Sequence, residues 1–432
     1  MTLAFLSLFF GLISGPYPVE LTLDGPASAV EVLVDGRSAA RLAEPPWKGT
    51  IDLGRDLLPH EIVARVLDAQ GREIGRAQEW ANLPHPLAKV EIALEGGGGS
   101  PSKAAKVLWT NLSGEAPRSV SLAFDGLPVK LDSHSRGELP PHDLNSIHVL
   151  TAQVDFQPDK SVRRDLAFGG EYGTEVSTEL TGVPVHARSG EVPPAGKLAG
   201  WLTSEGKPLA VDAVEEGPGK LYVVCAPSTI EIDRKMGKSG HMIKDIRYEM
   251  RLGRQDQIRF VPSFPERIMS SGGFSDLFEI SPSNDYSTGG LLWLMLRNGP
   301  REPPQKLRIA DAVATAGLAA VTEDRRRAVL LVLSGHEQDA SQYDPASVRH
   351  YLATLRVPLF VWSLGAPEPA STASAWGATD VSGTQHLYDA ARQVRDELDS
   401  QRIVMVDGRH LPQSIALSPA AAGLQLAGAG TP

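Results

Sequence analysis

Ser334, Gly335, His336 and Glu337 place a hydroxyl, an imidazole and a carboxylate within four residues. These are the groups that acyl transfer and hydrolysis use as nucleophile, base and orienting acid. Ser228, Asp285, Asp339 and His386 are further groups of the same kinds in the same half of the chain. The strained elbow G-x-S-x-G is missing, and its nearest relative, Gly273-Phe274-Ser275-Asp276-Leu277, lacks the second glycine. No H-E-x-x-H, P-loop or G-x-G-x-x-G occurs either. The ordinary role of a histidine such as His336 is that of a satisfied surface group. The one cysteine, Cys225, lies inside the apolar run Leu221 to Ala226, which suits a small core residue better than a nucleophile.

What precedes Ser334 fixes where these groups stand. Ala328 to Leu333 is six apolar residues without alternation, the pattern of a strand covered on both faces in a parallel sheet. Ligands of such sheets bind beyond the carboxyl ends of the strands, so Ser334 to Glu337 fall where a site is expected. Arg325, Arg326 and Arg327 lead into this strand and read as a solvated cap.

At 432 residues the chain exceeds a single ordinary core and predicts two to four domains. Its 42% hydrophobic and 22% charged residues describe a folded protein, and 33 prolines with 42 glycines imply many turns between short strands. A net charge of -10 argues against a nucleic-acid partner. One cysteine excludes an internal disulfide framework and a cysteine-based zinc site. Residues 1–15, MTLAFLSLFFGLISG, form an apolar stretch of signal-peptide length, too short to span a bilayer, with Ser14 and Gly15 as a cleavage point. No Lys or Arg precedes it, and its alternative role is a core segment.

Residues 17–95 read as a β-sandwich of immunoglobulin-like type. Val30, Val32 and Val34 alternate with their neighbours ahead of Asp35-Gly36, Ile62, Ala64 and Val66 repeat the alternation, and Trp47 is a core plug. Residues 96–102 are a glycine-rich linker by composition. A second sandwich spans 103–182, because Val120, Leu122, Phe124 and Asp125-Gly126 reproduce the first pattern at an offset of 90 residues, and Ile147 to Phe156 echoes His60 to Asp68. Residues 183–217 are a linker or extra strands, and 418–432 a flexible tail. Between them, 218–417 alternates strand and helix. Lys220 to Ala226, Val357 to Leu364 and Ile403 to Val406 read as strands. One helix face carries Leu307, Ala310, Ala314, Leu318 and Val321. Another carries Val348, Tyr351, Leu352 and Leu355 after an Asp344-Pro345 start, and a third Leu387, Ala391, Val394 and Leu398. The expected fold is therefore two immunoglobulin-like β-sandwiches followed by a doubly wound α/β domain.

The segment Leu307 to Gly365, with AVLLVLSGHEQDAS and VPLFVWSLG around the Asp344-Pro345 helix, resembles the von Willebrand factor type A family, more narrowly its secreted bacterial relatives joined to immunoglobulin-like modules. The resemblance implies protein contact through the loops above the sheet, where family members hold a divalent cation with Asp-x-Ser-x-Ser, a Thr and an Asp. Here Cys225 stands where the first Asp would be and Gly335 where the last would be, while Thr288 suits the middle position. Hydroxyls alone bind Mg2+ or Mn2+ poorly, so a degenerate site without resident metal is expected. The alternative is that Asp285 or Glu337 replaces a missing carboxylate. The resemblance thus implies a non-enzymatic adhesion or assembly protein, secreted, periplasmic or attached to the envelope. Ser228, Asp285, Thr288, Ser334 and Glu337 would line its contact with a protein partner. The rival expectations are an α/β hydrolase and a purely structural envelope component.

Overall fold

A computed structural model describes residues 2–7, 9, 11–24, 27–84, 88–95, 103–111, 116–143, 146–157, 160–169, 172–177, 180–236, 252, 256–270, 273–281, 284–285, 307–322 and 324–428. The chain is multidomain, and its described residues are mostly β-sheet, with several separate sheets and few helices. It divides into two compact units, residues 85–180 with 407–409 forming one and the remainder the other.

In the larger unit, residues 2–84 fold as a sandwich. One sheet runs Thr2–Phe5, Pro16–Asp24, Lys48–Asp52, and the other Arg37–Leu42, Ala29–Val34, His60–Leu67, Glu73–Ala81. The inward residues are those that period two selects, with Val30, Val32, Ile62, Ala64 and Val66 fully buried and Trp47 beside them. Thr2–Phe5 pairs with Pro16–Asp24, and Phe9 is buried in this core. Leu3, Phe5 and Ile13 of the apolar start pack against the same core.

The smaller unit repeats this plan. Leu127–Val129, Ser119–Phe124, His148–Gln157 and Lys160–Gly169 lie side by side in the order of the four-stranded sheet above, with Tyr172–Ser177 added at the edge, and Ala88–Glu95, Ala104–Asn111 and Arg136–Glu138 form the facing sheet. Ala88–Glu95 pairs with Ala104–Asn111 from Ala88↔Asn111 to Glu95↔Ala104. Residues 96–102, expected as a linker between modules, lie outside the described residues, and the strands on either side of them belong to one module.

Both modules carry the same clamp. Asp35 and Asp125 take positive φ (50° and 48°) ahead of Gly36 and Gly126, as a tight Asp-Gly hairpin requires. Each carboxylate then reaches the start of the next strand. Asp35 meets His60 Nδ1 at 2.8 Å and accepts from Glu61 N at 3.0 Å, while Asp125 meets His148 Nδ1 at 2.7 Å and accepts from Val149 N at 2.8 Å. Burial alone would push Asp125 up, but the bonds to His148 and Val149 outweigh it and hold the carboxyl below its ordinary range, while the same Asp125 bond raises His148.

A third β module was not foreseen. Leu180–Ala187, Leu202–Ser204, Lys207–Pro208 and Val211–Glu215 combine with Arg402–Asp407, Ile415–Leu417 and Leu424–Leu426 in two sheets around Val185, Leu198, Leu202, Val404 and Ile415. Hence 183–217 holds strands of this module, and Ile403 to Val406 pairs with Val211–Glu215 outside the parallel sheet. Part of the expected tail, Leu424–Leu426, pairs with Val185 to Ala187. Short strands from two distant segments carry too little local pattern to be joined by eye.

The α/β domain is inserted between these segments. Its sheet has the order β3-β2-β1-β4-β5-β6, with β1 Lys220–Cys225, β2 Gln257–Pro262, β3 Asn284–Asp285, β4 Arg327–Leu333, β5 Leu359–Ser363 and β6 Thr379–Asp380. All pairs are parallel except β2 with β3. Its helices among the described residues are α1 Thr229–Met236, α2 Ile309–Ala320, α3 Pro345–Thr354, α4 Thr372–Ala375 and α5 Thr384–Ser400. The expected faces of α3 and α5 are buried, and Asp344 caps α3 by accepting from Ser347 N at 2.9 Å. Helices α2 and α3 cross closely because Gly317 has no side chain, and a Cβ there would stand 2.6 Å from Leu352 Cδ1.

Two of the three arginines expected as a solvated cap are buried, since Arg326 and Arg327, the latter the first residue of β4, are 9% and 3% exposed. Arg326 donates to Gly217 O, Leu398 O and the Asp256 carboxylate, while burial lowers the Arg327 guanidinium to about 10. The first sandwich joins the α/β domain through Asn82. Its side chain bonds Ile13 N, Ile13 O and Leu58 O, its carbonyl accepts from Tyr351 Oη at 2.9 Å, and Leu57, Trp80 and Leu83 pack with α2 and α3.

Asn82→Ala removes three buried hydrogen bonds at a residue of positive φ, and is expected to cost about 3 kcal/mol in denaturant unfolding. His148→Gln is expected to destabilise the smaller unit most near pH 5. A raised imidazole contributes fully below the ordinary histidine value and is lost as pH rises through its folded value, and a lowered carboxylate is lost only as pH falls through its own. Melting curves of both variants and the parent at pH 5 and pH 9 measure this, with a smaller difference expected at pH 9.

Candidate functional site

The order of the sheet reverses between β1 and β4, so the loops beyond Cys225 and Leu333 face each other across the switch point. Ser228 and Glu231 lie on the first, and Ser334 to Glu337 on the second.

Ser228, 1% exposed, is the N-cap of α1. Its Oγ accepts from Glu231 N at 3.3 Å, and Glu231 Oε2 accepts from Ser228 N at 3.0 Å and Ser228 Oγ at 3.1 Å. This is a capping box, written in the sequence as Ser228-Thr229-Ile230-Glu231. Glu231 was missed, although S-x-x-E ahead of a helix is the signal that finds it. On the facing loop, Glu337 accepts from Ser334 N through one carboxylate oxygen and from Gly335 N, at 2.9 Å, through the other. Gly335 has a φ of +98°, so the turn that brings Glu337 back over the end of β4 depends on glycine there. Thr372 Oγ1 donates to Glu337 O at 2.8 Å and fixes the loop to α4.

The structure thus brings Ser228, Ser334 and Glu337 to the carboxyl edge. Asp285 pairs with Gln257, the first residue of β2, and so lies at the amino edge, away from the other three. Thr288 falls outside the described residues. Asp339 is a helix cap: its oxygens accept from Ile309 N at 2.9 Å and Ala310 N at 3.2 Å at the start of α2. His336 is exposed, and His386 lies in the first turn of α5.

Cys225 lies between the two loops at the end of β1. Burial, followed by the charges of Glu337 and Glu231, pushes its thiol up to about 12. It is therefore protonated at neutral pH and inert as a nucleophile or thiolate ligand. A cavity of 230 Å³ opens beside it, lined by Phe260, Ser263, Phe264, Glu266 and Glu279. Among the described residues, no group of three or more His, Cys, Asp and Glu side chains converges as a metal site.

A serine, a histidine and a carboxylate do align elsewhere. Ser400 Oγ stands 3.0 Å from His186 Nδ1, and His186 Nε2 stands 2.8 Å from Glu397 Oε1. Their surroundings have the wrong polarity for acyl transfer. Ser400 ends α5 and donates to Asp396 O at 2.7 Å, so backbone carbonyls surround it where an oxyanion needs N–H donors. The trio joins the third β module to α5. Burial would raise Glu397, but the bonds to His186 and Gln401 outweigh it and lower the carboxyl.

No family model and no curated protein matches the chain. Among solved structures it is similar to fibronectin(III)-like modules of CbhA from Clostridium thermocellum, at 15% identity over 18% of this chain and 93% of that one, with a TM-score of 0.17. A fibronectin-III array of RIM-binding protein matches at 10% identity over 46% of this chain and 81% of that one, with a TM-score of 0.24. The manganese-loaded TRAP protein of Plasmodium vivax matches at 11% identity over 47% of this chain and 80% of that one, with a TM-score of 0.29. The architecture described above rests on strand order and pairing in this chain.

In the folded chain Cys225 is expected to give no reaction with a thiol-specific chromogenic disulfide at pH 8, and one equivalent once denaturant is added. Rapid labelling without denaturant would contradict the buried, carboxylate-flanked position.

Proposed function

We propose that the chain is a non-enzymatic protein-interaction module of adhesion or assembly type, which contacts its partner through the loops around Ser228, Ser334 and Glu337 without a bridging cation. The observation that carries this reading is the engagement of both oxygens of Glu337 by Ser334 N and Gly335 N, matched across the switch by Glu231 on Ser228. Carboxylates that satisfy backbone donors hold the loops in shape by themselves, which is the work that a divalent ion does in a site built of hard oxygen ligands. The loops then offer a fixed surface, and the β modules serve as spacers or additional contact surfaces. Export to the periplasm, the envelope or the medium belongs to the same reading. No helix among the described residues is long and apolar enough to cross a membrane.

A hydrolytic role is the second reading, favoured by the alignment of Ser400, His186 and Glu397 and opposed by the carbonyl-rich helix end around Ser400. It predicts turnover of a p-nitrophenyl ester that Ser400→Ala abolishes; the interaction reading predicts none above buffer.

The deciding measurement is the melting temperature of the full chain in millimolar Mg2+ or Mn2+ against a chelator. The full chain is needed because Leu424–Leu426 completes the third β module. A shift within about 1 °C is expected. A rise of several degrees, from stabilisation by a bound ion, would mean that carboxylates of the loops hold a metal and would replace this reading with a cation-bridged contact.

A further inference from the structure

We propose that the open outer edge of β5 is a second interaction site, separate from the switch loops, which takes an extended, acidic peptide segment of a partner protein as an added strand. Strand β5 pairs with β4 along its whole length, from Val329↔Leu359 to Leu333↔Ser363. On its other side β6 covers only Trp362 and Ser363. Which backbone groups remain on that edge follows from alternation. Pro358 O accepts from Val329 N and Leu364 N donates to Leu333 O, so the amide groups of Phe360 and Trp362 turn towards β4 and those of Leu359 and Val361 turn outward. Among the described residues, the N–H and C=O of Leu359 and the N–H of Val361 meet no partner. A sheet edge of this kind is a template for strand addition unless a charge, a proline or a covering element blocks it.

Here the edge opens instead into a cavity of 430 Å³, within the range of about 300–1,000 Å³ that holds specific ligands. Leu352, Val357 and Trp376 make its apolar wall, and Trp376 Nε1 is buried without a hydrogen-bond partner. The rim is cationic. Arg349 and His350 stand on it exposed, and among the described residues no acidic side chain lines the cavity. Arg349 Nη1 donates to Trp376 O at 3.0 Å, which holds the guanidinium beside the opening, and among the described residues its other donors meet no side-chain partner and can take a carboxylate. In a chain with a net charge of -10, this local reversal of sign selects an acidic segment. The backbone of such a segment would pair with Leu359 and Val361, an apolar side chain would enter the cavity, and a carboxylate would meet Arg349.

The probe is the peptide acetyl-Thr-Val-Glu-Val-Thr-Val-amide, with its counterpart carrying lysine in place of glutamate, titrated into the full chain. Hydrogen exchange of the Leu359 and Val361 amides reads strand addition, and calorimetry reads affinity. The expected result is fast exchange in the free chain, slowed about tenfold or more at saturation with the glutamate peptide. Binding of the lysine peptide is expected to be about tenfold weaker, with the preference reversed by Arg349→Glu. Exchange unaffected by the peptide, or equal affinity for both peptides, would overturn the proposal. So would amides already protected in the free chain and released when residues 429–432 are removed, because the edge would then belong to the chain's own terminus. Exchange is read on the unsubstituted protein, so the test stands even if Arg349→Glu fails to fold.

Discussion

The structure depends on one constraint: the α/β domain is inserted in a β module, so both of its ends must return to the same place. Arg326 and Gln401 satisfy it. The guanidinium of Arg326 binds the incoming segment at Gly217 O, the end of the last helix at Leu398 O, and the Asp256 carboxylate ahead of β2. Gln401, fully buried, accepts from Arg327 N and donates to Arg327 O, so its amide pairs with the start of β4 as a neighbouring strand would. A buried charge is tolerated only where hydrogen bonds replace its water, and Arg326 has a partner on each of its three nitrogens. Without this crossing the two segments of the third module would not meet in register.

The opposite edge of the sheet follows the same rule with carboxylates. Glu231, Glu337 and Asp339 each accept from backbone N–H groups at a helix start or a strand end. The loops above the switch point are thus shaped by charge-assisted bonds within the chain, and a fixed loop surface is what recognition by contact requires. The raised thiol of Cys225 is a by-product of the same arrangement, since a buried group between two carboxylates resists ionisation.

The sequence reading was most successful where a pattern is local. The faces of α3 and α5, the Asp344 cap, and the buried runs of β1 and β4 could all be read from spacing, because burial on one helix face or on both strand faces leaves a periodic trace, whereas β5, expected to be buried, is half-buried at Leu359, Phe360 and Val361. The repeat could also be read from its Asp-Gly turns. Its clamp was not, although His60 and His148 are each the first residue of a matching strand, because the pairing with Asp35 and Asp125 spans 25 and 23 residues. Of the candidate contact residues, Ser228, Ser334 and Glu337 share one edge because two adjacent strands end there. Asp285 does not, because β3 runs antiparallel and delivers it to the other end.

By itself, the sequence determined the buried helix faces, the apolar runs of β1 and β4 and the Asp-Gly turns, since each of these is a short-range consequence of side-chain hydrophobicity and backbone freedom. Only the tertiary structure decided that Arg326 and Arg327 are buried ties, that 183–217 and the segment after Gln401 form one module, and that Leu3, Phe5 and Phe9 pack in the core of the first sandwich. These are pairings across tens to hundreds of residues. The partner that neutralises a charge or covers an apolar face leaves no mark on the sequence near it.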